Sequence, residues 1–323
     1  METERIASAR AFAPGHVTGL FAPDTAARDP RGRGSVGGGI VLDLGARATA
    51  TFASGDRRER RVRDTAGGRL PITEEVVRRL AGDRDGRISV VVRHELPVGQ
   101  GFGMSAAGAL AAGLAVARLL GRTPGAAVET AHLAELFGGG GLGGVAAILH
   151  GGLEFRERAG IPPFGSVRHR DYSGPIYLAV TGDPIPSPPR LRDPAFLERV
   201  RAAAAGALPR LARGFDSETL LHESERFGDR LKLPPAELNR TIRRLRGRSV
   251  RVARAMFGRS FFALPRSEPA AQALERALQD ESIPAVRLRA AVGGPAVRVG
   301  NGRPTPERST ARLLSEARPR RAP

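Results

Sequence analysis

The order of apolar and polar positions predicts a mixture of strands and helices. Two long segments, residues 10–21 and 37–52, combine β-branched and apolar residues with glycine, as strands do. A third strand is predicted over residues 86–97, where it ends at a proline. Alanine and leucine then dominate residues 104–120 and predict a helix.

The later elements carry their own boundary signals. The next helix is predicted to have Thr123 as its N-cap, Pro124 in its first turn and Gly138 at its end. Further predicted elements are a hairpin over 148–158, a strand over 174–182, helices near 194–213, 216–230 and 235–256, and a final strand, helix and strand over 259–265, 269–280 and 285–292.

These elements predict two α+β domains that meet near residue 170, since 323 residues are enough for two cores. The expected units are an N-terminal domain over 1–170, a C-terminal domain over 171–302, and a basic, disordered tail over 303–323.

The basic composition does not change the predicted domain organisation. The formal net charge is +18, but Lys232 is the only lysine, and arginine is abundant throughout the chain. Tryptophan is absent and there are two tyrosines, so platforms for stacking nucleic-acid bases are scarce. We expect no specific nucleic-acid partner, and we interpret the run Arg57–Arg63 as a solvated hairpin or loop.

The sequence also excludes some kinds of site and indicates where the protein is located. The chain has no cysteine, which rules out disulfides and thiolate metal sites. No uninterrupted apolar run is long enough to span a membrane, and the N-terminus lacks the apolar core of a signal peptide. A cytoplasmic protein without a membrane partner is the expectation.

The segment LPVGQGFGMSAAG, residues 96–108, carries the clearest chemical signal. A Walker loop is excluded because it needs a lysine, and Lys232 lies far away. A dinucleotide-binding loop needs an acidic residue about 20 positions later, and none occurs between Glu95 and Glu129. Two interpretations stay open: a tight turn between strand and helix, or a loop whose N–H groups hold polyphosphate, with Ser105 beside Mg²⁺.

This loop resembles the nucleotide loop of the GHMP kinases, with Phe102 and Met104 in place of the usual leucine and first serine. APGHVTGLF (13–21) is similar to the family's N-terminal motif, and MFGRSFFALP (256–265) occupies the place of its C-terminal glycine motif. Three further segments, GSVGGGIVLDLG (34–45), AHLAE (131–135) and GGLEFR (151–156), add a similarity to the archaeal branch that phosphorylates pantoate.

The resemblance implies an α+β fold in two domains, the first with a left-handed β-α-β crossover and the second ferredoxin-like. It also implies ATP- and Mg²⁺-dependent phosphorylation of a small alcohol. The ATP-binding positions by motif are Pro97, Gly99, Gly101, Phe102, Gly103, Met104, Ser105, Ala106 and Ala107. Ser105 and Glu135 would be the catalytic groups and Mg²⁺ ligands, and His16, Ser35, His132 and Arg156 would bind the substrate.

The types and spacing of these residues suit those roles. His132 and Glu135 are three positions apart on a predicted helix, which places them on one face. The guanidinium fork of Arg156 suits a planar carboxylate.

One position departs from the family pattern. Gly144 stands where the family has an aspartate, the candidate base or orienting group for the attacking hydroxyl. We still expect an active kinase, and we expect an aspartate at this position to raise kcat or leave it unchanged, provided the backbone does not need positive φ. The open alternatives are a kinase of another small alcohol and a nucleotide-binding protein without turnover; a homodimer is one expectation for the assembly.

Overall fold

Two long antiparallel strands, β1 (Ala7–Asp24) and β2 (Gly34–Ala53), form the centre of the first sheet in the computed structural model, which describes residues 7–185 and 191–299. The other strands of this sheet are β3 (Arg58–Asp64), β4 (Gly86–His94), β5 (Leu153–Arg158), β6 (Ser166–Arg170) and β11 (Ala296–Val299). Both long strands match the sequence prediction.

The second sheet contains β7 (Ile176–Val180), β8 (Ala253–Arg254), β9 (Ser260–Ala263) and β10 (Ala285–Leu288) in the order β10-β7-β9-β8. The α-helices are α1 (Pro71–Ala81), α2 (Met104–Leu119), α3 (Pro124–Gly138), α4 (Gly144–Ala147), α5 (Pro194–Ala204), α6 (Ala207–Arg213), α7 (Ser217–Leu231), α8 (Ala236–Gly247) and α9 (Glu268–Asp280). This strand order and the helix between β9 and β10 agree with a ferredoxin-like second domain, and the α+β class is confirmed.

Helix α2 is the centre of the main core. Its residues from Ala106 to Ala117 are buried, and it packs against β1 and β2 on one side and against α1 and α3 on the other. Alanine and glycine dominate its sequence, so the neighbouring elements approach the helix closely. The rigid position of α2 fixes the loop that precedes it.

The second sheet is buried on both faces. Successive side chains of a strand point to opposite faces, so its strands contribute residues to two cores. Ile176 and Leu178 of β7 face the main core, whereas Tyr177 and Ala179 face a second core under α8 and α9. The N-terminal and C-terminal parts of the chain therefore share one apolar interior.

Several predicted elements need correction. The run Arg57–Arg63 is not a loop, because residues 58–64 form β3, an edge strand parallel to β4 and connected to it through α1. The predicted hairpin over 148–158 is wrong, since β5 turns back through residues 159–165 and pairs with β6. The helix predicted to reach residue 256 ends at Gly247, and residues 253–254 belong to β8.

The division into two domains near residue 170 stays a proposal. The structure adds that a late strand belongs to the first sheet. Strand β11 pairs with β1, so the chain returns to the first sheet after completing the second. The tail over 303–323 lies outside the described residues. Among the residues that are described, none of the helices combines the length and apolar character that a membrane crossing requires.

Candidate active site

The backbone geometry of the loop before α2 explains why its glycines stand at alternate positions. Gly99, Gly101 and Gly103 all have φ between 69° and 77°, the left-handed region that glycine adopts without strain. A Cβ at Gly101 would lie 2.4 Å from the carbonyl oxygen of Met256, and a Cβ at Gly103 would lie 3.0 Å from the backbone nitrogen of His16. Alternate glycines therefore let the loop pass between β1 and the turn that follows β8.

The loop ends at a helix N-terminus that no side chain caps. Gly103 is the N-cap of α2, and residues 103–106 line a cavity of about 360 Å³. Backbone N–H groups and the positive end of the helix dipole at such a terminus suit a phosphate group. The loop geometry thus fits the polyphosphate of ATP, which favours the second of the two interpretations left open by the sequence.

Gln100 ties this loop to the second sheet. Its Nε2 donates to the carbonyl of Gly182 at 2.7 Å, and its Oε1 accepts from the backbone N–H of Arg259 at 3.0 Å. Its own carbonyl accepts from the Ser260 hydroxyl at 2.5 Å. The side chain is 2% exposed, so these bonds are shielded from water and fix the loop against the C-terminal part of the chain.

Ser105 and Glu135 meet at the cavity wall. The Ser105 hydroxyl donates to Glu135 Oε1 at 2.5 Å. Burial raises the pKa of Glu135 to about 7, and the hydrogen bond from Ser105 partly opposes this. A Cβ at Gly140 would lie 2.6 Å from the Glu135 carboxylate, so only glycine leaves room beside it.

These two side chains also fit a magnesium ion. A hydroxyl and a carboxylate are hard oxygen ligands, and Mg²⁺ commonly binds one or two carboxylates together with phosphate oxygens and water. Within the described part of the chain, no group of three or more histidine, aspartate and glutamate side chains forms a complete protein cage for a metal. Two protein oxygens would leave most of the coordination positions of a bound Mg²⁺ to phosphate oxygens and water.

A buried charged network lies beside the same cavity. His16 Nε2 lies 2.8 Å from Glu154 Oε1, and Arg156 donates to the same oxygen. Burial by itself would raise the pKa of Glu154, but the charge of Arg156 and the bond from His16 outweigh it and lower that pKa. Glu154 is therefore an ionised carboxylate with 0% exposure.

Arg156 and Ser35 face one common point at Gly143. A Cβ on Gly143 would lie 2.5 Å from Ser35 Oγ and 2.8 Å from Arg156 Nε. This Arg156 Nε is buried and has no hydrogen-bond partner among the described residues. A buried donor without a partner is costly, and a bound carboxylate would satisfy it.

The cavity brings most of the predicted site residues together. Those that line it are His16, Ser35, Gly99, Gly101, Phe102, Gly103, Met104, Ser105, Ala106, Glu135 and Arg156. Pro97 and Ala107 do not line it. Ala107 is fully buried within α2 and packs in the main core.

His132 does not reach the cavity either, so the structure does not support a direct contact with the substrate. Its Nε2 lies 3.4 Å from the carbonyl oxygen of Pro30, in the short 3-10 helix Pro30–Gly32, and burial lowers its pKa. Positions three apart share a broad helix face, but here Glu135 points to the cavity and His132 to the β1–β2 connection.

Glu154, Gln100 and His94 are among the polar residues of the site that sequence reasoning missed. His94 lines the cavity beneath α2, and its Nδ1 lies 3.6 Å from Asp64 Oδ1. The available signal for Glu154 was its place in GGLEFR, directly between apolar residues of a buried strand. Its contact with His16 depends on the pairing of β5 with β2 opposite Gly39, which the local sequence does not reveal.

A loop suited to polyphosphate and a buried arginine suited to a carboxylate line one cavity of an α+β fold, an arrangement that fits a small-molecule kinase. Comparison with known proteins agrees. Residues 71–152 match the family described as GHMP kinases N terminal domain. The pantoate kinase of Thermococcus kodakarensis is 30% identical over 283 residues, which cover 85% of this chain and 93% of that protein.

Two further similarities cover a comparable length. The pantoate kinase of Methanospirillum hungatei is 27% identical over 82% of this chain and 89% of its own length. A solved structure described as a phosphotransferase related to the CoA biosynthesis pathway has a TM-score of 0.81 and 28% identity, and covers 91% of this chain and 100% of its own. The chain belongs to the GHMP kinase family, in the group that contains the archaeal pantoate kinases. It is a phosphotransferase that acts on an alcohol group.

Proposed function

We propose that this protein transfers the terminal phosphoryl group of ATP to the primary hydroxyl group of pantoate, forming 4-phosphopantoate and ADP. One observation carries the proposal beyond the similarity to named relatives. The glycine loop at the start of α2 and the carboxylate-binding pair of Ser35 and Arg156 line the same cavity. A substrate that carries both a carboxylate and a hydroxyl can therefore bind at Arg156 and present its hydroxyl to the phosphate chain.

The roles of the side chains follow from their positions. Gly99, Gly101 and Gly103 shape the loop, and the N–H groups at the start of α2 hold the phosphates. Ser105 and Glu135 would hold Mg²⁺, which would neutralise the charge of the phosphate oxygens when bound. Phosphoryl transfer depends mainly on such positioning and charge neutralisation.

Arg156 selects the acid substrate. Its Nη1 donates to Glu154, which fixes the orientation of the guanidinium plane, and its Nε faces Ser35 and Gly143. Kinase substrates without a carboxylate would leave this buried donor without a partner. The pocket therefore favours hydroxy acids over simple alcohols.

The experiment is a measurement of ADP release with ATP and Mg²⁺ over four acids: pantoate, mevalonate, homoserine and shikimate. We expect release that depends on pantoate and has the highest kcat/KM for it. A higher kcat/KM for another acid would show a different kinase of the same family. ATP binding without release for any of them would show a nucleotide-binding protein without turnover.

A further inference from the structure

The cavity contains few groups that can accept a proton from the substrate hydroxyl. The titratable side chains that line it, among the described residues, are His16, Arg69, His94, Glu135 and Arg156. Arginine stays protonated and cannot accept a proton. Glu135 already accepts the Ser105 hydrogen bond and belongs to the proposed metal site.

The ring nitrogens of His94 face other groups of the protein. Its Nδ1 faces Asp64, and a Cβ at Gly108 within α2 would lie 2.7 Å from its Nε2. The ring therefore lies between β3 and α2 and packs against the helix. Among these side chains His16 is left as the acceptor.

The contacts of His16 establish which nitrogen is available. Its Nε2 is 2.8 Å from the Glu154 carboxylate, which can only accept, so Nε2 carries the hydrogen. Nδ1 is then an acceptor, and the hydroxyl of Thr18, another residue of the cavity wall, donates to it over a long 3.3 Å contact that the substrate hydroxyl would have to replace. A Cβ at Gly39 would lie 2.3 Å from Nε2, so a glycine on β2 makes room for the ring in this orientation.

We propose that His16 is a catalytic residue that accepts the proton of the substrate hydroxyl at Nδ1 during phosphoryl transfer, with Glu154 as its positioning residue. This proposal rests on the proposed function. The O–H bond breaks, its electron pair stays on the substrate oxygen, and that oxygen forms the new P–O bond. The P–O bond to ADP breaks, and its electron pair leaves on the β-phosphate oxygen. The imidazolium that results lies against the Glu154 carboxylate and returns its proton to water after product release.

The electrostatic surroundings suit this role. Burial lowers the pKa of His16, the Glu154 contact raises it, and the charge of Arg156 lowers it further, with a net decrease. His16 is therefore neutral at neutral pH and free to accept a proton. Glu154 fixes the tautomer and stabilises the charged product, as the acid does in other histidine–carboxylate pairs.

The first test is His16→Gln, since the glutamine Nε2 can still donate to Glu154 but offers no basic nitrogen. We expect kcat to fall on the order of 10²-fold, as is typical for the loss of a general base, with the KM values for pantoate and ATP nearly unchanged. The matched control is His169→Gln, an exposed histidine on β6, which should keep the parent kcat. A raised KM for pantoate with unchanged kcat would make His16 a binding residue only and overturn the proposal.

The pH profile separates catalysis from structural support. At saturating Mg²⁺, which keeps Glu135 ionised, kcat of the parent should fall at acid pH as His16 becomes protonated. This acid limb should be absent in His16→Gln. An identical limb in both proteins would contradict the proposal.

A measurement on the parent protein covers the case in which His16→Gln does not fold. Nitrogen NMR of histidine-labelled protein reports which ring nitrogen carries the proton, and we expect Nε2–H with a bare Nδ1 for His16. The opposite tautomer would overturn the proposal. Absence of any pantoate-dependent ADP release in the parent would instead reject the proposed function, before any variant is made.

Discussion

The hydroxyl group of Ser105 lies 2.5 Å from Oε1 of Glu135, and this hydrogen bond joins the first turn of α2 to the last turn of α3. The two side chains come from helices that begin 20 residues apart, at Met104 and Pro124. The two helices pack tightly against each other, so the two oxygens that we propose as Mg²⁺ ligands are held together before any metal binds. Such preorganisation lowers the cost of binding a hard cation beside the phosphates.

Ser105→Ala tests this ligand pair directly. We expect kcat to fall on the order of 10²-fold, comparable to the loss of other single polar groups that act on developing charge. The comparison protein is Ser166→Ala on β6, away from the cavity, which should retain the parent kcat. If Ser105→Ala kept both the parent kcat and the parent nucleotide affinity, the assignment of the loop would be wrong.

Glu135→Gln tests the carboxylate through the pH dependence of stability. The pKa of Glu135 is raised to about 7 in the folded, metal-free protein, so its contribution to stability is present below the unfolded pKa and is lost as pH rises through about 7. A shift of this size corresponds to roughly 3 kcal/mol in the free energy of unfolding. In EDTA, we therefore expect Glu135→Gln to be more stable than the parent at about pH 8, and the difference to shrink to less than about 1 kcal/mol by about pH 5.

Urea denaturation at the two pH values, with EDTA or with Mg²⁺, measures this effect. Mg²⁺ should stabilise the parent and have little effect on Glu135→Gln, because a neutral amide is a poor ligand for a hard cation. Identical Mg²⁺ responses in both proteins would remove Glu135 from the metal site.

Gly143→Ala tests the carboxylate pocket. The new Cβ would lie 2.5 Å from Ser35 Oγ and 2.8 Å from Arg156 Nε, so both side chains would have to leave the positions from which we propose that they bind the substrate carboxylate. We expect a large increase in the KM for pantoate with little change in the KM for ATP. Gly55→Ala is the control, since nothing lies within 4 Å of a Cβ there. Equal increases in both KM values would place the carboxylate elsewhere.

The structure changes the expectation for Gly144. Its φ is outside the left-handed region, but a Cβ would lie 2.9 Å from the Cβ of Ala106, which cannot move without shifting α2. We expect Gly144→Ala and Gly144→Asp each to lose roughly 1–3 kcal/mol of stability through overpacking. We also expect the two variants to lose similar amounts of activity. Activity of Gly144→Asp far above that of Gly144→Ala would show that the carboxylate supplies a base, and would contradict the role of His16.

Local sequence signals correctly predicted the bounds of α3 and the special backbone of the nucleotide loop. Thr123 accepts from the N–H of Ala126, and Pro124 and Gly138 bound α3 as expected, because caps and prolines act within a few residues. The alternate glycines marked this loop as unusual, and their positive φ angles and close backbone neighbours explain why glycine stands at these positions.

The missed and misplaced residues depend on contacts between distant segments. β3 is rich in arginine and resembles a solvated loop, but pairing with β4 makes it an edge strand. Helix periodicity could not separate His132 from Glu135, since only the position of the Pro30–Gly32 turn decides which of them faces the cavity. Glu154 acquires its role only when β5 pairs with β2 and brings it to His16.

The most direct test of the central claim is phosphorus NMR of the purified protein with ATP, Mg²⁺ and pantoate. The account predicts a new phosphomonoester signal that couples to the two protons of the adjacent methylene group, formed in equal amount to ADP. ADP that forms with inorganic phosphate alone, or a new ester that appears only with another acid, would contradict it.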